Sequence, residues 1–255
     1  MKNIVSCSFG KDSLAQIVVM KELGIEIDDI MYCDIRFNDK ISGEHPLLAE
    51  WIPVAESILK SRYGLTVTHI TAPKTFVEYF YTVKQKGRHV GDIYGYPHTI
   101  GAWCNGRLKL QVIDKYLKSI KDEITQFVGI AYDEPVRYAN LFNRQTNKIV
   151  NRSVLFEQGI TEEMAFRICE KEGLKSPHYS IGGFRGGCWF CVKQSYADMY
   201  NLWHQYPKYF NTLLKMEKDS FNTFFSNSSL YELEKRFESG YVPKRRHKNM
   251  RSLAA

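Results

Sequence analysis

Two patterns of hydrophobicity divide the chain. Up to about residue 155, short apolar or β-branched runs alternate with segments whose apolar residues recur at helical spacing. Ile4-Val5, Asp29–Cys33, Thr66–Ile70 and Gln126–Ile130 read as strands; Leu14–Met20, Pro46–Leu59 and Leu108–Leu117 read as helices. Strand and helix in alternation predict an α/β fold, a parallel sheet with helices on both faces. In such sheets ligands collect beyond the carboxyl ends of the strands. Ser8–Ser13, Asp34 and Asp133-Glu134 each follow a predicted strand directly. Beyond residue 155 or so the strand signal fades and helices with loops take over, so the expected division is 1–155, 156–240 and a tail 241–255. Thr161-Glu162-Glu163-Met164 reads as a capped helix start with an acidic first turn, and Gly173 as its end. Ser180–Gly187 is glycine-rich, and residues 195–237 carry Tyr200, Trp203, Tyr206, Tyr209, Phe210 and Phe221, read as packing rather than as a base-stacking platform.

Composition adds limits. With 255 residues, 44% hydrophobic and 25% charged, the chain can bury a full core. It has no apolar run of membrane-spanning length and no secretory leader pattern, so a cytoplasmic location away from membranes is expected. The six cysteines, at 7, 33, 104, 169, 188 and 191, then read as thiols or metal ligands rather than disulfides. The net charge is +7, but Lys244, Arg245, Arg246, Lys248 and Arg251 supply five of those positive charges within the tail, leaving 30 basic against 28 acidic residues elsewhere. A solvated terminus and an arm tracking a phosphate backbone are both open for the tail. Lys84-Gln85-Lys86-Gly87-Arg88-His89 is a second basic cluster, for which a nucleic-acid contact and an anionic substrate both stay open.

The chemistry begins at Ser8-Phe9-Gly10-Lys11-Asp12-Ser13. A tight turn from strand into helix aims backbone N–H groups at one point, where the helix end adds partial positive charge. Gly10 allows close approach, Lys11 supplies a point charge, and the Ser8 and Ser13 hydroxyls can bond phosphate oxygens. The spacing differs from the Walker loop. After the fourth strand, Gly129-Ile130-Ala131-Tyr132-Asp133-Glu134-Pro135-Val136-Arg137 brings carboxylates able to hold Mg²⁺ and a guanidinium able to grip phosphate or sulfate; a turn with an internal ion pair is the alternative. Cys188-Trp189-Phe190-Cys191 has the two-residue gap of a metal-binding pair. Cys104 and Cys169 would complete a tetrahedral set for Zn²⁺ or a [4Fe–4S] cluster, with a redox pair or buried thiols as alternatives; Cys7 and Cys33 read as core.

Four segments, Ser8–Ser13, Trp103-Cys104 through Arg107 and Lys109, Gly129–Arg137, and Gly187–Cys191, together resemble the phosphoadenosine phosphosulfate (PAPS) reductase-like family of the PP-loop ATP pyrophosphatase superfamily, over residues 1 to about 215. The first resembles the Ser-Gly-Gly-Lys-Asp-Ser loop of that superfamily, with Phe9 at the first glycine. The resemblance implies an adenine nucleotide alpha hydrolase-like fold followed by a helical, cysteine-containing region, with adenine near Tyr32, Cys33 and Asp34. It further implies ATP with Mg²⁺ held by Ser8 to Ser13, Gly129, Asp133 and Glu134; Lys11, Asp12 and Arg137 in catalysis; and Arg107 and Lys109 at the acceptor or sulfate. Lys11-Asp12 matches the ATP-splitting branch, whose members modify tRNA or DNA, often with a sulfur donor protein. No cysteine follows Cys191, so the nucleophilic thiol of a sulfonucleotide reductase is missing and PAPS or APS reduction would need an external thiol. A nucleotide-binding subunit of a nucleic-acid-modification or defence complex is the third expectation.

Overall fold

The computed structural model describes residues 1–87, 89–180 and 186–244. Arg88, the 181–185 stretch of the glycine-rich segment, and the basic tail from Arg245 lie outside the described residues. By contact the chain forms two units, one of Met1–Phe76 with Cys104–Cys188, the other of Val77–Trp103 with the residues from Trp189 onward.

The first unit contains a five-stranded parallel sheet of β1 (Lys2–Cys7), β2 (Asp29–Asp34), β3 (Val67–Thr71), β4 (Ile124–Val128) and β5 (Ile149–Arg152), ordered β3-β2-β1-β4-β5. Register sorts the side chains. Val5 stands beside Ile30 and Phe127 on one face, packed by α1 (Lys11–Glu22), α2 (Pro46–Tyr63) and a later helix, Glu162–Lys171. Ile4, Met31, Ile70 and Ile124 line the other face under the helix Gln111–Ser119. Both faces are therefore covered, as the run-and-period pattern requires.

Helix α1 is buried from Ser13 through Met20, because the sheet covers one side of it and later helices the other. Each fully buried Leu or Ile contributes roughly 1.5–3 kcal/mol. In α2, His45 Nδ1 accepts the Leu47 amide, Pro46 takes the first helical position, and Gly64 at φ +68 stops it. The remaining helices are α3 (Phe76–Phe80), which carries the chain into the second unit, α4 (Trp103–Asn105), running into a π-helical turn at Gly106–Leu110, α5 (Gln111–Ser119), α6 (Pro135–Phe142), α7 (Val154–Glu157) and α8 (Glu162–Lys171). Thr161 caps α8 and Gly173 follows it at φ +66, as its sequence predicts. The change of pattern near residue 155 does not coincide with the division between units, since Ala165 and Cys169 of α8 share a core with α1.

In the second unit, α9 (Tyr196–Gln205), α10 (Pro207–Asp219) and α11 (Leu230–Glu238) enclose Phe210, Leu213, Leu230, Leu233 and Phe237. Tyr200 and Trp203 pack on Phe237, in line with the packing reading of the aromatic residues. Glu217 ties α10 to the turn after it and to the start of α11, accepting the Phe224 amide at 2.7 Å and the Leu230 amide at 2.8 Å. Among the described residues no helix is long and apolar enough to cross a membrane.

Candidate functional site

Strand order reverses between β1 and β4, the place where open parallel sheets leave a crevice for ligands. The turn from β1 to α1 lies there and is built by its own side chains. Ser13 Oγ donates to the Gly10 carbonyl (3.0 Å) and accepts the Ser8 amide (3.1 Å), with Ser8 Oγ 3.3 Å away. Phe9 takes φ +52, in the left-handed region, and its buried ring meets Tyr32 edge-on at 4.9 Å. The backbone strain, about 1–2 kcal/mol, is offset by burying that ring. The first amides of α1 have no intrahelical acceptor; that of Lys11 donates to the Tyr179 hydroxyl at 3.0 Å. Gly129, directly after β4, closes against this turn. A Cβ there would stand 2.7 Å from the Asp12 carbonyl carbon and 2.8 Å from the Ser13 nitrogen, so glycine is required for the two loops to meet.

Charge is concentrated at the same point. Lys11 Nζ lies 2.8 and 2.9 Å from the Asp12 carboxylate oxygens and 3.5 Å from Glu162 Oε2, and its side chain is only 13% exposed. Burial pulls the Lys11 pKa down, but the carboxylates of Asp12 and Glu162 outweigh it and hold it above the usual lysine value. The Asp12 carboxyl is raised by burial, with Glu162 and Glu134 adding to the effect and Lys11 opposing it. Asp133 Oδ1 accepts the Glu162 amide at 3.0 Å, at the start of α8. Arg137 pairs with Glu134 at 2.8 Å, the internal ion pair that the sequence left as an alternative, and its side chain is about half exposed.

A second polar group sits at the end of β2. The Tyr32 ring is buried, and its hydroxyl donates to Glu44 Oε1 at 3.3 Å. Burial pushes the Glu44 carboxyl up to about 7, against the Lys109 ammonium and the Tyr32 hydrogen bond and with help from Asp34. Cys33 donates to the Leu108 carbonyl at 3.4 Å, its thiol pushed up to about 11 by burial. Asp34, the member of Tyr32–Asp34 that keeps partial exposure, is raised by burial against His69 and Arg36. Lys109 and Arg107 ride on the π-helical turn, a distortion frequent at functional sites.

The cysteines differ in environment: Cys7, Cys33 and Cys169 are buried, and Cys104, Cys188 and Cys191 are partly exposed. Cys169 is 1% exposed, donates to the Lys11 carbonyl at 3.1 Å, and has its thiol pushed up to about 12 by burial. That hydrogen bond ties α8 to the β1–α1 turn. Cys7 is likewise a core thiol, at about 11. Cys104 and Cys188 belong to the first unit, where Cys188 bridges Glu44 through the main chain; Cys191 belongs to the second. Among the described residues no three His, Cys, Asp or Glu side chains form a group fit to hold a metal ion.

Sequence reasoning reached the β1–α1 and β4–α6 loops but missed Tyr179, Glu162 and Glu44. Glu162 is visible only as a first-turn acid, and neither Pro177-His178-Tyr179 nor Gly43-Glu44-His45 has a motif, so their roles arise from tertiary approach alone. Comparison of the chain with protein-family models, with curated proteins and with solved structures finds no significant match in any of the three.

Proposed function

We propose that the chain is a PP-loop enzyme that binds ATP with Mg²⁺, cleaves it between the α- and β-phosphates and transfers the adenylyl group to an acceptor, in nucleic-acid modification or sulfur transfer. The observation that carries the reading is the β1–α1 turn. It lies at the switch point of a parallel sheet, closed by Gly129, with Lys11 and the first amides of α1 at one spot. The φ of +52 at Phe9 supports the resemblance, because the PP-loop sequence has a glycine at that position and glycine favours such a backbone.

In this reaction an acceptor oxygen bonds to the α-phosphorus, the bond from that phosphorus to the bridging oxygen breaks, and the electron pair leaves with pyrophosphate. The α1 amides and Lys11 offset the charge growing on the leaving group, and the Ser8 hydroxyl bonds its oxygens while Ser13 holds the shape of the turn through the Gly10 carbonyl. Asp12, Glu134 and Glu162 outnumber Lys11 and Arg137 here, which disfavours a bare polyphosphate and favours one that brings a divalent cation. Asp12 and Asp133 are the residues assigned to that cation, Asp34 to the adenine side, and Arg107, Lys109 and Arg137 to the acceptor. The test is ATP/[³²P]pyrophosphate exchange with the purified protein, with and without tRNA. Exchange abolished by Lys11→Ala supports the reading; equal exchange in that variant removes it.

A further inference from the structure

The second unit carries a surface that the phosphate turn does not account for. Residues 82–84 and 92–94 pair as the arms of a hairpin: the Lys84 amide donates to the Asp92 carbonyl (2.8 Å), the Tyr94 amide to the Thr82 carbonyl (2.9 Å), and Val83 bridges Ile93. Lys84, Lys86 and His89 stand near its tip. The base of the hairpin is bolted to the turn after α10. Asn222 accepts the Tyr96 amide at 3.2 Å and donates to the Tyr96 carbonyl at 2.8 Å, and Tyr81 donates to Asp219 at 2.7 Å. Gly95, at φ +63, permits the approach: a Cβ there would fall 2.6 Å from Asn222 Oδ1.

These bonds fix Phe221 against the hairpin. Lys84 Nζ lies 4.0 Å from its ring centroid, and the His89 ring stacks on it at 5.0 Å with planes 22° apart. Phe221 is nevertheless 41% exposed, and the His89 side chain 55%. His89 holds φ +62; among the described residues, Phe9 of the phosphate turn is the other non-glycine with positive φ. Residues held in that region against their preference concentrate at functional sites. A cleft of about 430 Å³ opens beside Phe221, lined by Pro97, His98, Thr99, Phe225 and Ser226, and the apolar side chains of Val90 and Ile100 are exposed on the same segment.

We propose that this hairpin–Phe221 face binds single-stranded nucleic acid, with a base stacked on the outer face of His89 and backbone phosphates held by Lys84 and Lys86. The cores of protein–protein interfaces are depleted in lysine, whereas a phosphate backbone selects for it, and an exposed stack of flat rings accepts any base. The stack is already fixed by the Asn222 bonds, so little ordering is needed on binding.

The inference goes beyond the reading of the phosphate turn and is measured without ATP, so the two fail separately. Fluorescence anisotropy of the full chain with a labelled single strand of about 15 nucleotides, DNA or RNA, at low salt is the experiment. His89→Asn keeps a residue tolerant of positive φ and removes the ring; it should weaken binding roughly five-fold or more. Lys84→Glu with Lys86→Glu should weaken it about ten-fold or more and reduce the salt slope by about 1.4, two phosphates at roughly 0.7 each. Lys118→Glu, at an exposed position of α5, should change nothing. No binding by the wild type, equal binding by all variants, or a self-association that His89→Asn abolishes overturns the proposal.

Discussion

Lys11 supplies charge at the β1–α1 turn and also offsets a buried charge. Its partner Asp12 is itself largely buried, so removing the ammonium strands a carboxylate. Lys11→Ala should therefore lose ATP binding in calorimetry and also lower stability by about 1–3 kcal/mol in urea unfolding. Adding Asp12→Asn should restore the stability and leave the binding lost; a single variant as stable as wild type would show that the pair is solvated. Tyr179 gives a second residue-level expectation. Its hydroxyl occupies the Lys11 amide that a phosphate oxygen would take, so Tyr179→Phe should tighten ATP binding by roughly five-fold, the equivalent of one net hydrogen bond. Weaker binding would mean that the hydroxyl contacts the nucleotide instead. Lys11, Asp12 and Ser13 were legible because a strand, a turn and a helix start are local features. Tyr179 was not, because 168 residues separate it from the amide that it caps.

Between elements, the β4 loop meets α1 closely at Gly129. Gly129→Ala must push the first turn of α1 aside, so it should cost about 1–3 kcal/mol and abolish ATP binding as Lys11→Ala does; normal binding would show that the joint gives way. At the α10–α11 joint, burial is the chief cause raising the Glu217 carboxyl above its ordinary value, against the backbone amides that it accepts. An acid with a raised folded pKa holds its proton longer in the folded state, so stability should fall as pH rises through the window just above 4.5. Glu217→Gln should flatten that slope in thermal melts at pH 4 to 7, pH values chosen to bracket the carboxyl range; an unchanged slope would remove the assignment. Most elements of the first half were readable from apolar runs and helical spacing. Strand β5 was not: Ile149–Arg152 has four residues and pairs only at the sheet edge, too short for a period to show.

For the whole molecule, alternating strand and helix signals gave the parallel, doubly covered sheet, because βαβ crossovers leave few other arrangements. The grouping of the chain into two units was hidden. Residues 77–103 leave the sheet region and associate with the helices after Trp189, which no local signal announces. The same holds for Glu44, brought to Tyr32 by the path of the segment after β2. What unites these observations is the claim that the β1–α1 turn holds a nucleotide's phosphates. It is tested most directly by amide NMR of the first unit's loops during titration with Mg²⁺–ATP and with pyrophosphate. The prediction is saturable shifts at Gly10, Lys11, Asp12, Ser13 and Gly129, absent in Lys11→Ala. Saturable binding that leaves those amides unmoved, or no binding by the wild type at millimolar ligand, would contradict it.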